Sequence, residues 1–184
     1  MPEPLATADD LAAYSNGAVS AADPRAENSL AGVSAAIRNY CGWHVTPSLS
    51  ELLTLDGPGG RLLSLPTKYL TAVSSIVEDE TVLADKSDFR WSADGSVKRL
   101  AALWSDDFRI IDATITHGYP TARAVKAVAL AVVTRELSSP TGATREQAGA
   151  VSVSWALSAP GVSGGIALLA HEREILDFYR IESV

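Results

Sequence analysis

The apolar period of this chain changes twice, and that pattern constrains the fold more than any single motif. Asp23-Pro24 supplies an N-cap and a proline at the first helical position. Leu30, Val33, Ile37, Tyr40 and Cys41 then recur at helical spacing until Gly42. From Pro47 the chain turns into short β-branched or alternating runs divided by turn residues, and helical spacing returns only at Pro120. A chain that reads helical, then β, then helical again is α+β: a helical body with a β-rich insertion in its middle third.

Ahead of the long helix, Thr7-Ala8-Asp9-Asp10 sets a hydroxyl three residues before an acid. That capping-box pattern opens a short helix through Leu11 and Tyr14, which Asn16-Gly17 stops. After the turn cluster Asp56-Gly57-Pro58-Gly59-Gly60, the spacing predicts strands near 61–65, 72–78, 89–92, 97–103 and 108–116. Asp94-Gly95, between Trp91 and Val97, marks a tight hairpin because glycine takes a positive φ without steric cost. Residues 121–137 form a helix with Val125, Val128, Val132 and Val133 on overlapping faces, interrupted only by Arg123, Lys126, Arg135 and Glu136. Such a helix is expected to be buried centrally or wedged between subunits. Ser138-Ser139-Pro140-Thr141-Gly142 ends it, and a strand follows at 150–157. Gly161-Val162-Ser163-Gly164-Gly165 then leads into a last helix over 166–180. The helical body is thus assigned to 1–60 and 120–184, and the β insertion to 61–119.

With 184 residues, 47% of them apolar, the chain can bury a sizeable core as one domain or as a compact body with one large insertion. The net charge of −7 argues against a sequence-independent nucleic-acid binder, which draws its affinity from Lys and Arg on phosphates. DNA can pass such a protein without sticking to it. The charge is uneven: residues 1–60 hold seven acids and two bases, whereas 121–184 hold six of each. An acidic first third either keeps subunits soluble or lines a surface that repels another polyanion. One cysteine, Cys41, forms no internal disulfide. With neither a signal-peptide pattern nor a long uncharged apolar stretch, the chain is expected to fold in a reducing cytoplasm, with no membrane partner.

Each arrangement that could carry chemistry fails at a required residue. His171-Glu172-Arg173-Glu174-Ile175 begins like a zinc-protease helix, but Ile175 stands where the second histidine must share the metal. Cys41-Gly42-Trp43-His44 sets a thiol near an imidazole, yet one cysteine and three histidines make no Cys-rich tetrahedral zinc site. Gly57-Pro58-Gly59-Gly60 lacks the Lys-Ser/Thr pair of a phosphate loop, and its proline removes a backbone donor. Glu78-Asp79-Glu80 has no regular ligand spacing and reads as a solvated loop, and Asp106-Asp107 is weaker still. The expectation is no catalytic residue, no cofactor and no metal.

The ordered series of motifs resembles the head-to-tail connector or adaptor proteins of long-tailed bacteriophages, particularly those of actinobacteria. It runs from Ile37-Arg38-Asn39-Tyr40-Cys41-Gly42-Trp43-His44-Val45 through Leu63-Ser64-Leu65-Pro66 and Trp91 with Asp94-Gly95. It continues through Thr114-Ile115-Thr116-His117-Gly118-Tyr119-Pro120 and Gly149 with Val151-Ser152-Val153, and ends at Glu174-Ile175-Leu176-Asp177-Phe178-Tyr179-Arg180-Ile181. No one of these is specific; the series spans almost the whole chain. In the residues themselves, Tyr40 and Trp43 offer apolar area with a polar handle, and Gly42 permits the left-handed stop of the helix. His117-Gly118-Tyr119-Pro120 makes a strand-to-helix corner.

The resemblance implies a virion subunit that forms a ring, a dodecamer in the mature particle, beneath the portal. It would continue the DNA channel toward tail-side neck proteins, a stopper or a tail terminator, in the virion neck after assembly in the host cytoplasm. The last helix is the candidate portal-docking arm, with Leu168, Ile175, Leu176 and Tyr179 as its apolar face and Gly161, Gly164 and Gly165 as its hinge. The opposite reading, a core helix of its own subunit, is equally open from sequence. Two other classes stand beside the adaptor: a non-viral cytoplasmic binding or regulatory module, and a small hydrolase using Cys41 or His171.

Overall fold

Thr7 opens the first helix, α1 (Ala8–Tyr14), through a reciprocal capping box. The Asp10 N–H donates to Thr7 Oγ1 at 3.2 Å, and the Thr7 N–H donates to Asp10 Oδ2 at 3.0 Å. The second helix, α2 (Ala26–Cys41), starts after Asp23, whose carboxylate accepts the Arg25 N–H, and stops at Gly42 with φ +80°. Its buried stripe of Leu30, Val33, Ile37 and Cys41 follows the period read from sequence. Each large apolar side chain removed from water there contributes roughly 1.5–3 kcal/mol. In this computed structural model the described residues are 3–138, 145–148, 151–154 and 166–181.

Two compact units result, one of Met1–Cys41 with Arg123–Tyr179, the other of Gly42–Ala122 with Arg180–Val184. In the helical unit, α3 (Arg123–Ser138) buries Val125, Val128, Ala129, Leu130, Val132, Val133 and Leu137. Lys126 on α3 meets Asp10 on α1 at 2.7 Å. The last helix, α4 (Ala170–Asp177), is shorter than the 166–180 expected from sequence. Leu169 stands at its N-cap, its N–H donating to Glu172 Oε2 at 2.8 Å, so the helix starts later than the apolar spacing suggested.

The β unit holds two antiparallel sheets. One has four strands in the order β1-β7-β3-β4, namely β1 (Leu49–Leu55), β7 (Ile111–His117), β3 (Leu70–Glu78) and β4 (Thr81–Leu83). The other has three, β2 (Leu62–Ser64), β6 (Ser96–Arg99) and β5 (Phe89–Trp91), with Asp94-Gly95 turning β5 into β6 as anticipated. Their shared core includes Leu63, Leu70, Ile76, Phe89, Val97, Trp104, Ile111 and Ile115. Two short strands, β8 (Arg145–Ala148) and β9 (Val151–Ser154), pair antiparallel with each other, and β9 answers the strand expected at 150–157. Four helices with these sheets make the described chain α+β.

Two sequence expectations are corrected. The β unit begins at Gly42, so 42–60 belongs with the strands and not with the helical body: all seven residues of β1 pair with β7. Glu78-Asp79-Glu80 is solvated only at its last two residues. Glu78 ends β3 buried, taking Arg99 Nη2 at 2.8 Å and the Ser105 N–H at 2.8 Å. Asp79 and Glu80, with φ of 47° and 61°, form the two-residue turn into β4.

Candidate functional site

Strict alternation along β7 turns Ile111, Ala113, Ile115 and His117 inward, and it delivers an imidazole to the end of the β core. His117 has a side chain only 2% exposed, and its Nε2 lies 2.7 Å from Glu51 Oε1. Glu51 pairs with Ile115 on the neighbouring strand, one diagonal step from His117, which brings the two side chains onto one face. The corner after β7 completes the cluster. Gly118 has φ +102°, and a Cβ on it would stand 2.3 Å from His44 Nε2 and 2.6 Å from Pro47 O. That missing side chain lets the His44 ring approach His117 edge to face, with centroids 4.3 Å apart. Trp43 stacks against His117, and Tyr119 stacks on Tyr69 with centroids 4.5 Å apart. The Tyr119 N–H donates to Val45 O at 2.8 Å and Thr46 Oγ1 donates to Tyr119 O at 2.9 Å, tying the loop before β1 to the corner.

Of the positions that carry the resemblance, Trp43, His117, Gly118 and Tyr119 therefore come together, and Gly42 and exposed Pro120 flank them in the same unit. Tyr40 belongs to the helical unit, where its hydroxyl donates to Asp177 Oδ1 at 2.6 Å. Sequence reasoning missed the meeting of His44, Glu51 and His117. The signal was present in the inward register of Glu51 between Leu49 and Leu53, but only to a reader who had found β1.

The four proposed docking residues, of which only Ile175 and Leu176 lie on α4, do not share one exposed face. Leu176 is fully buried, with the Cys41 sulfur 4.0 Å from its carbonyl oxygen. Leu168 and Tyr179 are half-buried, while Ile175 is exposed and is joined there by Phe178, 68% exposed. Glu172 binds Arg135 of α3 at 2.7 and 3.2 Å, and Arg135 Nη2 also donates to Ala167 O. Burial pushes the Glu172 carboxyl up, but the bonds from Arg135 and the Leu169 N–H outweigh it and hold the group below its usual range. The proposed hinge, Gly161, Gly164 and Gly165, lies outside the described residues.

Two of the groups considered for catalysis, Cys41 and Glu172, are taken up in packing and an ion pair. The Cys41 thiol is buried at the end of α2, His171 is exposed on α4, and Glu172 is committed to Arg135. Glu78 in the β unit is equally committed, to Arg99, whose guanidinium stacks 5.0 Å over Trp104. No described helix is long and apolar enough to cross a membrane.

The architecture is a shared one. A chain in the neck of a native gene transfer agent (GTA) particle, computed with C12 symmetry, aligns over 95% of this chain and 89% of its own. Its TM-score is 0.59 at 15% identity. The neck of the empty GTA particle, computed with C6 symmetry, gives a TM-score of 0.58 at 12% identity over 98% of this chain and 91% of that one. The virion of the native GTA particle gives 0.58 at 13% identity, over 100% and 94%. At such identities the likeness is one of fold. No model of a known protein family matches the sequence, and no curated protein does.

Proposed function

We propose that this chain is a structural, non-enzymatic subunit of the neck of a phage-like particle. As a head-to-tail adaptor, it forms a ring that joins the portal to the tail-side proteins and continues the DNA channel. The observation that carries this reading is the fold shared with GTA neck chains over nearly the full length of both partners. The C12 symmetry of one of those necks supports a dodecameric ring. An acidic subunit suits a conduit through which DNA slides without specific binding, since fixed like charge denies the phosphates a foothold. The absence of catalysis is supported by the engagement of Cys41, Glu78 and Glu172 in packing and ion pairs.

Ring contacts and portal docking require apolar surface that the subunit leaves uncovered. Ile175 and Phe178 offer it on the helical unit, and Phe108, Val82 and Leu103 offer it on the β unit. The last helix then docks on the portal through Ile175 and Phe178, while Leu176 holds it to its own subunit. Purified chain mixed with portal protein and viewed by negative-stain microscopy should give an annulus stacked on the portal. Particles showing bare portal at saturating subunit would overturn the adaptor assignment.

A further inference from the structure

The corner of the β unit gathers two imidazoles and a carboxylate that the sequence holds far apart. We propose that His44, Glu51 and His117 form a binding site for one divalent transition-metal cation of the zinc class. Each residue offers one ligand atom, and these atoms lie within 4.8 Å of one another. A tetrahedral ion about 2.0–2.2 Å from each donor sets its ligand atoms about 3.3–3.6 Å apart, so the widest pair has to close by about 1 Å. Glu51 and His44 can make that shift, because both reach solvent: the Glu51 side chain is 42% exposed and His44 half-buried. Water has access to the remaining coordination positions.

Two features distinguish this cluster from an ordinary ion pair. His117 Nδ1 is buried with no hydrogen-bond partner, an arrangement that a purely structural histidine avoids because an orphaned buried polar atom is penalised. Its Nε2 already faces the Glu51 carboxylate at 2.7 Å. An ion held through Nε2 takes Glu51 as a ligand. The second feature is preorganisation. His117 sits on an inner strand, Glu51 on the strand paired with it, and His44 Nε2 lies 2.9 Å from Pro47 O, with Gly118 leaving room for its ring. Imidazole with carboxylate suits zinc, cobalt or nickel ions, whereas magnesium and calcium favour all-oxygen sites.

The test uses the full chain, stripped with a chelator and titrated with zinc chloride by calorimetry, with cobalt(II) absorption as a second readout of coordination geometry. Wild type should bind one zinc ion per chain and melt at a higher temperature with zinc than without. His44→Gln and Glu51→Gln, both at solvent-reaching positions, should keep the far-ultraviolet circular dichroism of wild type. Each removes a direct ligand and should weaken zinc binding by more than the roughly 10- to 100-fold that loss of an outer-sphere partner costs. His171→Ala should bind as wild type does. Absence of stoichiometric zinc binding by wild type, or undiminished affinity in either glutamine variant, overturns the site.

Discussion

Gly57 stands where a side chain has no room: a Cβ there would lie 2.1 Å from the Ser105 carbonyl oxygen, a backbone atom that cannot swing aside. The close approach follows from pairing between the two loops, since the Gly57 N–H donates to Asp107 O at 2.9 Å and the Gly59 N–H to Ser105 O at 2.9 Å. Gly57→Ala must therefore push the loops apart, and we expect it to destabilise the chain by about 1–3 kcal/mol or more in urea melts. Asp10 is a milder case with a pH signature. The hydrogen bond from Lys126, followed by that from the Thr7 N–H, lowers its carboxyl from 3.8 to about 2. A depressed folded-state pKa means that the stabilisation is present above the unfolded value of 3.8 and is lost as the pH falls through about 2. The pair is solvent-reaching, so its worth is below about 1 kcal/mol and falls with salt. The difference in melting temperature between wild type and Asp10→Asn should be largest above about pH 4 and shrink toward pH 2, and a constant gap would refute the linkage.

At the scale of the element, α4 is anchored and exposed at once: Leu176 is buried and Ile175 is not. Leu176→Ala should cost about 2–5 kcal/mol, as for any fully buried leucine. Glu172→Ala strands the Arg135 guanidinium in a site where its own side chain is 16% exposed, and a cost of about 3–5 kcal/mol is expected. Ile175→Ser with Phe178→Ser should cost little more than the edge-to-face contact of Phe178 with Tyr179, about 0.5–1.5 kcal/mol, and reduce portal capture. A larger loss of stability in that double variant would make the exposed side part of the fold rather than a docking surface. The same helix shows what could be read in advance. Its existence was legible from apolar spacing, but which apolar residue is buried was not, because Ile175 and Leu176 are adjacent and only packing in the helical unit separates them. Helices with capping signals, the short α1 and the long α2, were legible through local chemistry. β1 and β4 were not: Leu-Ser-Glu-Leu-Leu-Thr-Leu has its alternation broken by Leu52, and the turn into β4 uses Asp79-Glu80 where Asn-Gly would have announced it. The His44, Glu51 and His117 cluster was hidden for the same reason, since it exists only through the register of β1 on β7.

For the whole molecule the governing quantity is charge. Each copy carries a net −7, and a closed ring sets many copies side by side at separations comparable with the Debye length of about 10 Å at 0.1 M salt. Repulsion between neighbours then opposes ring closure, whereas docking on a portal supplies contacts that offset it and holds the copies at high local concentration. The free chain is accordingly expected to sediment as a monomer or a weak oligomer in dilute low-salt buffer, and to form its stable ring only on the portal. Raising the salt should strengthen whatever self-association exists, because screening removes the repulsion while leaving contacts between exposed apolar side chains such as Phe108 unweakened. Sedimentation velocity at 20 mM and 500 mM salt, with and without portal, measures both terms; a tight ring at low salt without portal would show that intersubunit packing alone overcomes the charge.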